Sequence, residues 1–240
     1  MTDRDTKVLW EAIGDASRKP TGYLYTRYAN RNMARPLTLA FAKLGVRPVA
    51  VTLLSILLTV GGAVLHLAQS DRPGVGAVVV VYGLLMLGYA LDSSDGQLAR
   101  VSNQATQAGG FLDHTVDGAK LALVGIAVSW PYLEMQIADG QPSLIAGWPM
   151  LVLTGAAVLH FTATWQLASM EAGEARRLTP RKPFSPGWWL ASLFDYGVFM
   201  MLAPLSLWHA GYVTIMPVYA VAYAVFAMLM VRKHFVRLAS

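Results

Sequence analysis

The sequence contains no cysteine and little charge. Without cysteine the chain can form no disulfide bond, and thiolate catalysis and cysteine-ligated zinc are excluded. Charged residues make up 14% of the chain and hydrophobic residues 55%, whereas about a quarter of the residues of a soluble domain are charged. Much of the apolar surface must therefore face lipid. The net charge of +5 is dispersed and accompanies no basic, aromatic-rich stretch, so we expect no nucleic-acid partner.

Long apolar segments predict an all-α integral membrane protein with six transmembrane helices. Each segment is long enough to cross a hydrocarbon core of about 30 Å as a helix. The predicted spans are Pro48–Gln69, Gly74–Asp92, Gly110–Tyr132, Leu144–Ala168, Trp188–Trp208 and Tyr212–Val231.

Basic residues predict the orientation of these spans. They are concentrated before the first span, between the fourth and fifth spans, and after the last span, whereas the loops on the opposite side contain only Arg72. By the positive-inside rule both termini are predicted to be cytoplasmic. We therefore expect a multi-pass protein of the cell membrane.

The segment before the first span is predicted to be a cytoplasmic N-terminal region, residues 1–47, followed by a six-helix domain, residues 48–240. Met1–Pro20 is polar and charged, so we expect no cleavable signal peptide. Between Tyr23 and Gly45, apolar residues alternate with basic ones, which predicts an amphipathic helix on the membrane surface; a plain juxtamembrane linker is the alternative.

Four aspartates at helical spacing are the strongest chemical signal. Asp92 and Asp95 are three residues apart at the end of the second span, and Asp113 and Asp117 are four apart at the start of the third. The loop between these spans is short, so we expect antiparallel neighbouring helices and convergence of all four carboxylates at the cytoplasmic face.

A divalent cation would offset the repulsion among these carboxylates. Carboxylate ligands suit a hard ion such as Mg²⁺ or Mn²⁺, and four of them suffice for two ions, an arrangement used in phosphoryl displacement. Gly96 and Gly109 leave room for a close ligand, and Arg100 provides a fork for a phosphate.

The stretch from Asp92 to Asp117 closely resembles the signature of the CDP-alcohol phosphotransferases. The signature reads D-x2-D-G-x2-A-R-x8-G-x3-D-x3-D, and every fixed position is met. The six spans, the cytoplasmic N-terminus and the amphipathic entry helix are also similar to that family. A further family pattern, Pro-Asn-x-x-Thr, reads Pro48-Val-Ala-Val-Thr52, so only Thr52 is carried over.

The resemblance implies roles for the matched residues. Asp92, Asp95, Asp113 and Asp117 would bind metal, and Asp117 would also act as the general base on the acceptor hydroxyl. The pocket for the CDP moiety would be lined by Gly96, Ala99, Arg100, Gly109 and Thr52. Members of the family are commonly homodimers.

Residues outside the signature are weaker candidates. Lys120, Arg176 and Arg177, with Arg181 and Lys182, are candidates for an acceptor phosphate, although charge balance and topology explain them equally or better. Asp195, within the fifth predicted span, would serve the acceptor pocket or pair with a basic residue. His114 follows Asp113 directly, and we expect its side chain to point away from the acidic face.

The resemblance implies a CDP-alcohol phosphotransferase, an enzyme that transfers a substituted phosphate from a CDP-linked donor to an alcohol hydroxyl and releases CMP, as in phospholipid biosynthesis. The donor is CDP-diacylglycerol, which we slightly favour, or a soluble CDP-polyol with a lipid or polyol acceptor. A cation-coupled transporter is the alternative from another class, but transporters usually place their acidic groups near the middle of the membrane.

Overall fold

The computed structural model describes residues 3–18, 22–69, 73–173 and 186–239, and every regular element in these ranges is helical. A π-helical segment, Tyr25–Asn30, continues directly into α2, and we call residues 25–43 the pre-span helix. The helices are α1 (Asp3–Ser17), α2 (Arg31–Lys43), α3 (Pro48–Leu67), α4 (Val75–Val101), α5 (Gln107–Ala138), α6 (Ser143–Ala146), α7 (Trp148–Gly173), α8 (Pro186–Ser192), α9 (Tyr196–Met200), α10 (Leu202–Leu205) and α11 (His209–Ala239).

Five helical stretches are long and apolar enough to cross a membrane. They comprise α3, α4, α5, α6 with the adjoining part of α7, and α11. Five of the predicted spans therefore correspond to helices of sufficient length and hydropathy. The helix that begins at Val75 extends to Val101, well past the predicted end at Asp92, so that Asp92, Asp95 and Arg100 all lie within its last turns.

The fifth predicted span differs from the other five, because it is not one continuous helix. Residues 186–205 form the three short helices α8, α9 and α10, and Asp195 lies at the break between the first two. The carboxylate of Asp195 accepts hydrogen bonds from Thr26 and from the backbone N–H of Gly197, and these bonds favour a helix break at this position. That this segment crosses the membrane stays a prediction.

The amphipathic stretch predicted before the first span is helical. It ends at Gly45, whose φ of 67° is easily adopted only by glycine, and α3 then begins at Pro48, a favourable first residue of a helix. Helix α1 was not predicted. It packs on α2, where the guanidinium of Arg35 lies 4.3 Å from the ring centre of Trp10.

The contacts divide the chain into two compact units. The first contains α1, the pre-span helix, α3 through Gly62, α4 from Gly83, the start of α5 through Val116, and α8 with α9. The second contains the remaining parts of α3, α4 and α5 together with α6, α7, α10 and α11. In the second unit α7 packs along α11, where His160 makes edge-on ring contacts with Tyr223 and Phe226.

Within the first unit, α3 and α4 lie close together at Gly88. A Cβ atom at this position would lie 2.5 Å from Thr59 Oγ1 and 3.2 Å from the Ser55 carbonyl oxygen. The absence of a side chain lets the Ser55 hydroxyl donate to the Gly88 carbonyl at 2.8 Å. This contact sets the spacing of the two helices two turns before Asp95.

Candidate active site

The fixed residues of the signature lie on one face of α4. An α-helix turns by about 100° per residue, so Asp92, Asp95, Gly96 and Ala99 fall within an arc of about 100°. The side chain of Asp92 is half-buried, and Asp95 is 4% exposed. A buried carboxylate needs hydrogen-bond donors or a cation, so the Asp95 carboxylate on this face of α4 must have such partners.

Thr52 provides one of these partners. Its hydroxyl donates to Asp95 Oδ2 at 2.6 Å, and the pair is buried where α3 meets α4. The sequence predicted a nucleotide contact for Thr52, whereas the structure places its hydroxyl directly on a predicted metal ligand. Such hydrogen bonds hold a ligating carboxylate in one orientation.

We expect Thr52→Val to lower CMP release by about 10-fold, because partners of metal-ligating groups typically contribute 10- to 100-fold to metal affinity or activity. Thr52→Ser keeps the hydroxyl and should retain most of the activity. The measurement is the initial rate at several Mn²⁺ concentrations. Equal rates for Thr52→Val and the wild type at every concentration would show that this hydrogen bond has no role in the site.

Arg100, near the end of α4, interacts with aspartates of both acidic helices. Its guanidinium interacts electrostatically with Asp95 of α4 and with Asp113 of α5. The side chain folds back over Gly96, where a Cβ atom would lie 3.3 Å from Arg100 Nη1. The glycine therefore makes room for the arginine of the same motif. Arg100 Nε is buried and has no hydrogen-bond partner among the described residues, which leaves a donor for an anionic ligand.

A second cation, which the sequence did not point to, lies near Arg100. Arg31, the first residue of α2, interacts electrostatically with Arg100 and with Asp195. Burial lowers the pKa of Arg31 from its usual value, and the nearby Asp195 carboxylate acts in the opposite direction. An arginine side chain keeps its charge under such shifts. Two neighbouring guanidinium groups repel each other unless an anion lies between or beside them.

At the start of α5 three potential metal ligands occupy one turn. One donor atom each from Asp113, His114 and Asp117 can be chosen so that all lie within 4.8 Å of one another. This limit is slightly longer than the roughly 4.2 Å between opposite ligands of a Mg²⁺ ion. Two carboxylates and an imidazole form a donor set that a divalent ion such as Mn²⁺ accepts, so the residues fit a metal.

The expectation that His114 points away from the acidic face was wrong. A nitrogen of its ring lies within 4.8 Å of carboxylate oxygens of Asp113 and Asp117, because a side chain of this length can reach around the helix surface to the neighbouring face. Asp92 and Asp95 do not belong to this three-residue group. Arg100 interacts electrostatically with one aspartate of each helix, Asp95 and Asp113.

Two further predicted residues have structural partners. Lys120 is buried, and its Nζ lies 3.0 Å from Asp117 Oδ1, so it balances the charge of that aspartate. The backbone N–H of Gly109 donates to Thr106 Oγ1 at 3.0 Å, which makes Thr106 the N-terminal cap of α5. The predicted acceptor residues Arg176 and Arg177, with Arg181 and Lys182, lie outside the described residues.

Asp195 is buried and holds the pre-span helix. It accepts hydrogen bonds from the Thr26 backbone N–H at 2.9 Å, from the Thr26 hydroxyl at 2.6 Å and from the Gly197 N–H at 3.2 Å. The Tyr89 hydroxyl lies 2.6 Å from Thr26 Oγ1 and extends this chain to α4. Asp195 was predicted to serve the acceptor pocket or to pair with a basic residue; its hydrogen-bond partners are instead Thr26 and Gly197, and its interaction with the basic Arg31 is electrostatic.

Comparison with known proteins adds two findings. The family model for CDP-alcohol phosphatidyltransferase matches residues 46–232. An uncharacterized protein of Aquifex aeolicus (strain VF5) is 36% identical over 101 residues, which cover 42% of this chain and 47% of that protein. The matched region thus spans about half the length of this relative.

Proposed function

Because the chain belongs to the CDP-alcohol phosphatidyltransferase family, we propose that it transfers a substituted phosphate group from a CDP-linked donor to an alcohol hydroxyl and releases CMP. The observation that supports this most directly is the group of Asp113, His114 and Asp117, whose metal-binding atoms lie within 4.8 Å of one another, with Arg100 of α4 in electrostatic interaction with Asp113. Anionic and cationic groups placed side by side suit a ligand that combines a diphosphate with bound metal.

The metal would be held by Asp92, Asp95, Asp113 and Asp117, with His114 as an additional ligand. Members of this family use a divalent ion, and we propose Mg²⁺ or Mn²⁺ in two sites. When bound, such ions neutralise the diphosphate of the donor and make CMP a better leaving group. Thr52 would keep the Asp95 carboxylate turned toward this site.

Asp117 is proposed as the general base. The acceptor oxygen forms a new bond to the phosphorus of the transferred group, the bond from that phosphorus to the CMP oxygen breaks, and the acceptor proton passes to the Asp117 carboxylate. Lys120 restricts the orientation of this carboxylate by its 3.0 Å ion pair. The base is thereby held in place before substrate binds.

Arg100 and Arg31 are proposed to bind the donor diphosphate. The Nε of Arg100 has no partner among the described residues, and a planar guanidinium matches phosphate oxygens geometrically. Gly96, Ala99 and Gly109 would line the CDP moiety. The single methyl of Ala99 lies on the same face of α4 as Gly96 and would leave the nucleotide space to approach.

We propose that the site faces the cytoplasm, where CDP-linked compounds are made available, and that the protein works in the cell membrane as a homodimer. CDP-diacylglycerol is the preferred donor in this proposal and a small alcohol the acceptor. A soluble CDP-polyol with a lipid or polyol acceptor is the competing substrate pair, and product analysis distinguishes the two.

The test uses the purified full chain in detergent. We expect CMP release that requires a CDP-linked donor, an alcohol acceptor and Mn²⁺ or Mg²⁺, and that falls to background with excess EDTA. Product masses from CDP-diacylglycerol and from CDP-polyols, each with a panel of alcohols, identify the substrate pair. No CMP from any donor, with metal present and the protein folded, would refute the proposed function.

A further inference from the structure

The face of α4 opposite the fixed signature positions Asp92, Asp95, Gly96 and Ala99 is hydrogen-bonded to the pre-span helix. Asn30, which is 1% exposed, uses both hydrogens of its amide: Nδ2 donates to the Tyr89 carbonyl at 3.1 Å and to Ser93 Oγ at 2.7 Å. Ser93 stands between Asp92 and Ser94, inside the signature. The amide of Asn30 therefore binds α4 at the residue that follows Asp92, the first predicted metal ligand.

About two turns further along the pre-span helix, Thr38 makes the second attachment. Its hydroxyl lies 2.9 Å from Ser94 Oγ and 2.9 Å from Gln97 Oε1, and all three side chains are buried. Gln97 Nε2 in turn donates to the Arg31 carbonyl at 3.0 Å. The buried polar groups along this contact satisfy one another, and a satisfied buried network favours one arrangement of the two helices over others.

The two faces of α4 are nearly opposite. At about 100° per residue, the variable signature positions Ser93, Ser94 and Gln97 centre about 155° away from the fixed positions Asp92, Asp95, Gly96 and Ala99. The fixed positions on this face are the ones assigned to ligands, whereas Ser93, Ser94 and Gln97 are hydrogen-bonded to the pre-span helix. Apolar packing of α2 residues near Val51 and Leu98 also joins these helices, but apolar contacts permit rotation that hydrogen bonds do not.

A small rotation of α4 would matter to a metal site. Side-chain ends lie about 5–6 Å from a helix axis, so a rotation of about 20° moves a carboxylate oxygen by about 2 Å. Metal–ligand distances are held to within about 0.2 Å. The hydrogen bonds on the far face therefore have to limit the rotation much more closely than helix packing alone does.

We propose that Asn30 and Thr38 are positioning residues, which set the rotation of α4 and thereby the placement of Asp92 and Asp95. Both lie before residue 46, outside the part of the chain that the family model matches. This inference rests on the proposed function only in taking Asp92 and Asp95 as metal ligands. It assigns to the pre-span helix a role in forming the site, beyond the membrane-surface role that its amphipathic pattern predicts.

The test compares Thr38→Val with Thr38→Ser in the full chain. Thr38→Val keeps the shape and removes the hydroxyl, and we expect about a 10-fold weaker Mn²⁺ affinity, measured by the electron paramagnetic resonance of free Mn²⁺, with a similar fall in kcat. Thr38→Ser restores the hydroxyl and should restore both values. Asn30→Ser, which removes the amide, should reproduce the loss and serves as a second variant if Thr38→Val does not fold.

Thr214→Val is the matched control, because the Thr214 hydroxyl is exposed and makes the same bond to the carbonyl four residues earlier that Thr38 makes. It should leave Mn²⁺ affinity and kcat unchanged. Folded Thr38→Val and Asn30→Ser proteins with wild-type values would overturn the inference while leaving the proposed function intact. A wild-type protein that binds Mn²⁺ but never releases CMP would refute the proposed function, and the Mn²⁺ measurements would still decide the positioning role.

Discussion

Replacing Asp117 by asparagine is expected to lower the rate of CMP release by about 10²- to 10⁴-fold, the usual contribution of a general base. The amide cannot accept the acceptor proton, and it is a weaker metal ligand than a carboxylate. Binding of CDP should change little, because Arg100 and the aspartates of α4 remain. The measurements are the initial rate of CMP release at saturating substrates and metal, and CDP affinity by calorimetry.

Lys120 provides the control that separates chemistry from charge balance. In Asp117→Asn the buried ammonium of Lys120 loses its partner at 3.0 Å, which alone would destabilise the helix. Lys120→Met removes that charge but keeps the carboxylate, so it should retain substantial activity, whereas the double variant should be as inactive as Asp117→Asn. Asp139→Asn changes an exposed carboxylate just after the end of the same helix and should be neutral. Substantial transfer by Asp117→Asn would remove the base assignment.

The second large effect concerns stability. Asp195→Ala should lower the free energy of unfolding by about 3 kcal/mol, because it leaves two partly buried donors of Thr26 and one buried donor of Gly197 without an acceptor, and each buried unsatisfied donor costs about 1–3 kcal/mol. The loss should appear as a lower melting temperature in detergent. It should also appear as faster proteolysis of the pre-span helix, which Thr26 joins to the segment between α8 and α9.

Two variants bracket this expectation. Asp195→Asn keeps one acceptor oxygen and should have a smaller effect. Asp15→Ala removes an exposed carboxylate whose partner is Arg18 at 3.3 Å, and pairs of this kind contribute little to stability. If Asp195→Ala melts with the wild type, the Thr26 contacts are not needed to hold the pre-span helix.

Five of the six spans could be predicted to be long apolar helices because hydropathy accumulates over about 20 residues. The end of α4 could not, since Ser93, Ser94 and Gln97 are polar and lower the local hydropathy, whereas in the structure their polar groups are satisfied by the pre-span helix. Likewise α1 gives a polar, uninformative pattern, and its position depends on a contact between Trp10 and Arg35. Local patterns do not report such partners.

The site shows the same division. The spacing of the aspartates is a local property and pointed to a helix-borne acidic cluster, which the structure supports for Asp113 and Asp117. Asn30 and Thr38 were missed because their partners lie 63 and 56 residues away. His114 was missed because helical spacing describes where a side chain leaves the backbone and not where its far end lies.

The close approach at Gly88 has a consequence for movement within the bilayer. Helices α3 and α4 are hydrogen-bonded there through Ser55, and again through Thr52 and Asp95; the two bonds are two turns apart on α4 and less than one turn apart on α3. Two attachment points prevent one helix from sliding along or pivoting on the other. A thicker or thinner membrane changes the tilt of a spanning helix. A change in the tilt of α3 should therefore move Asp95, so that membrane thickness affects the acidic site.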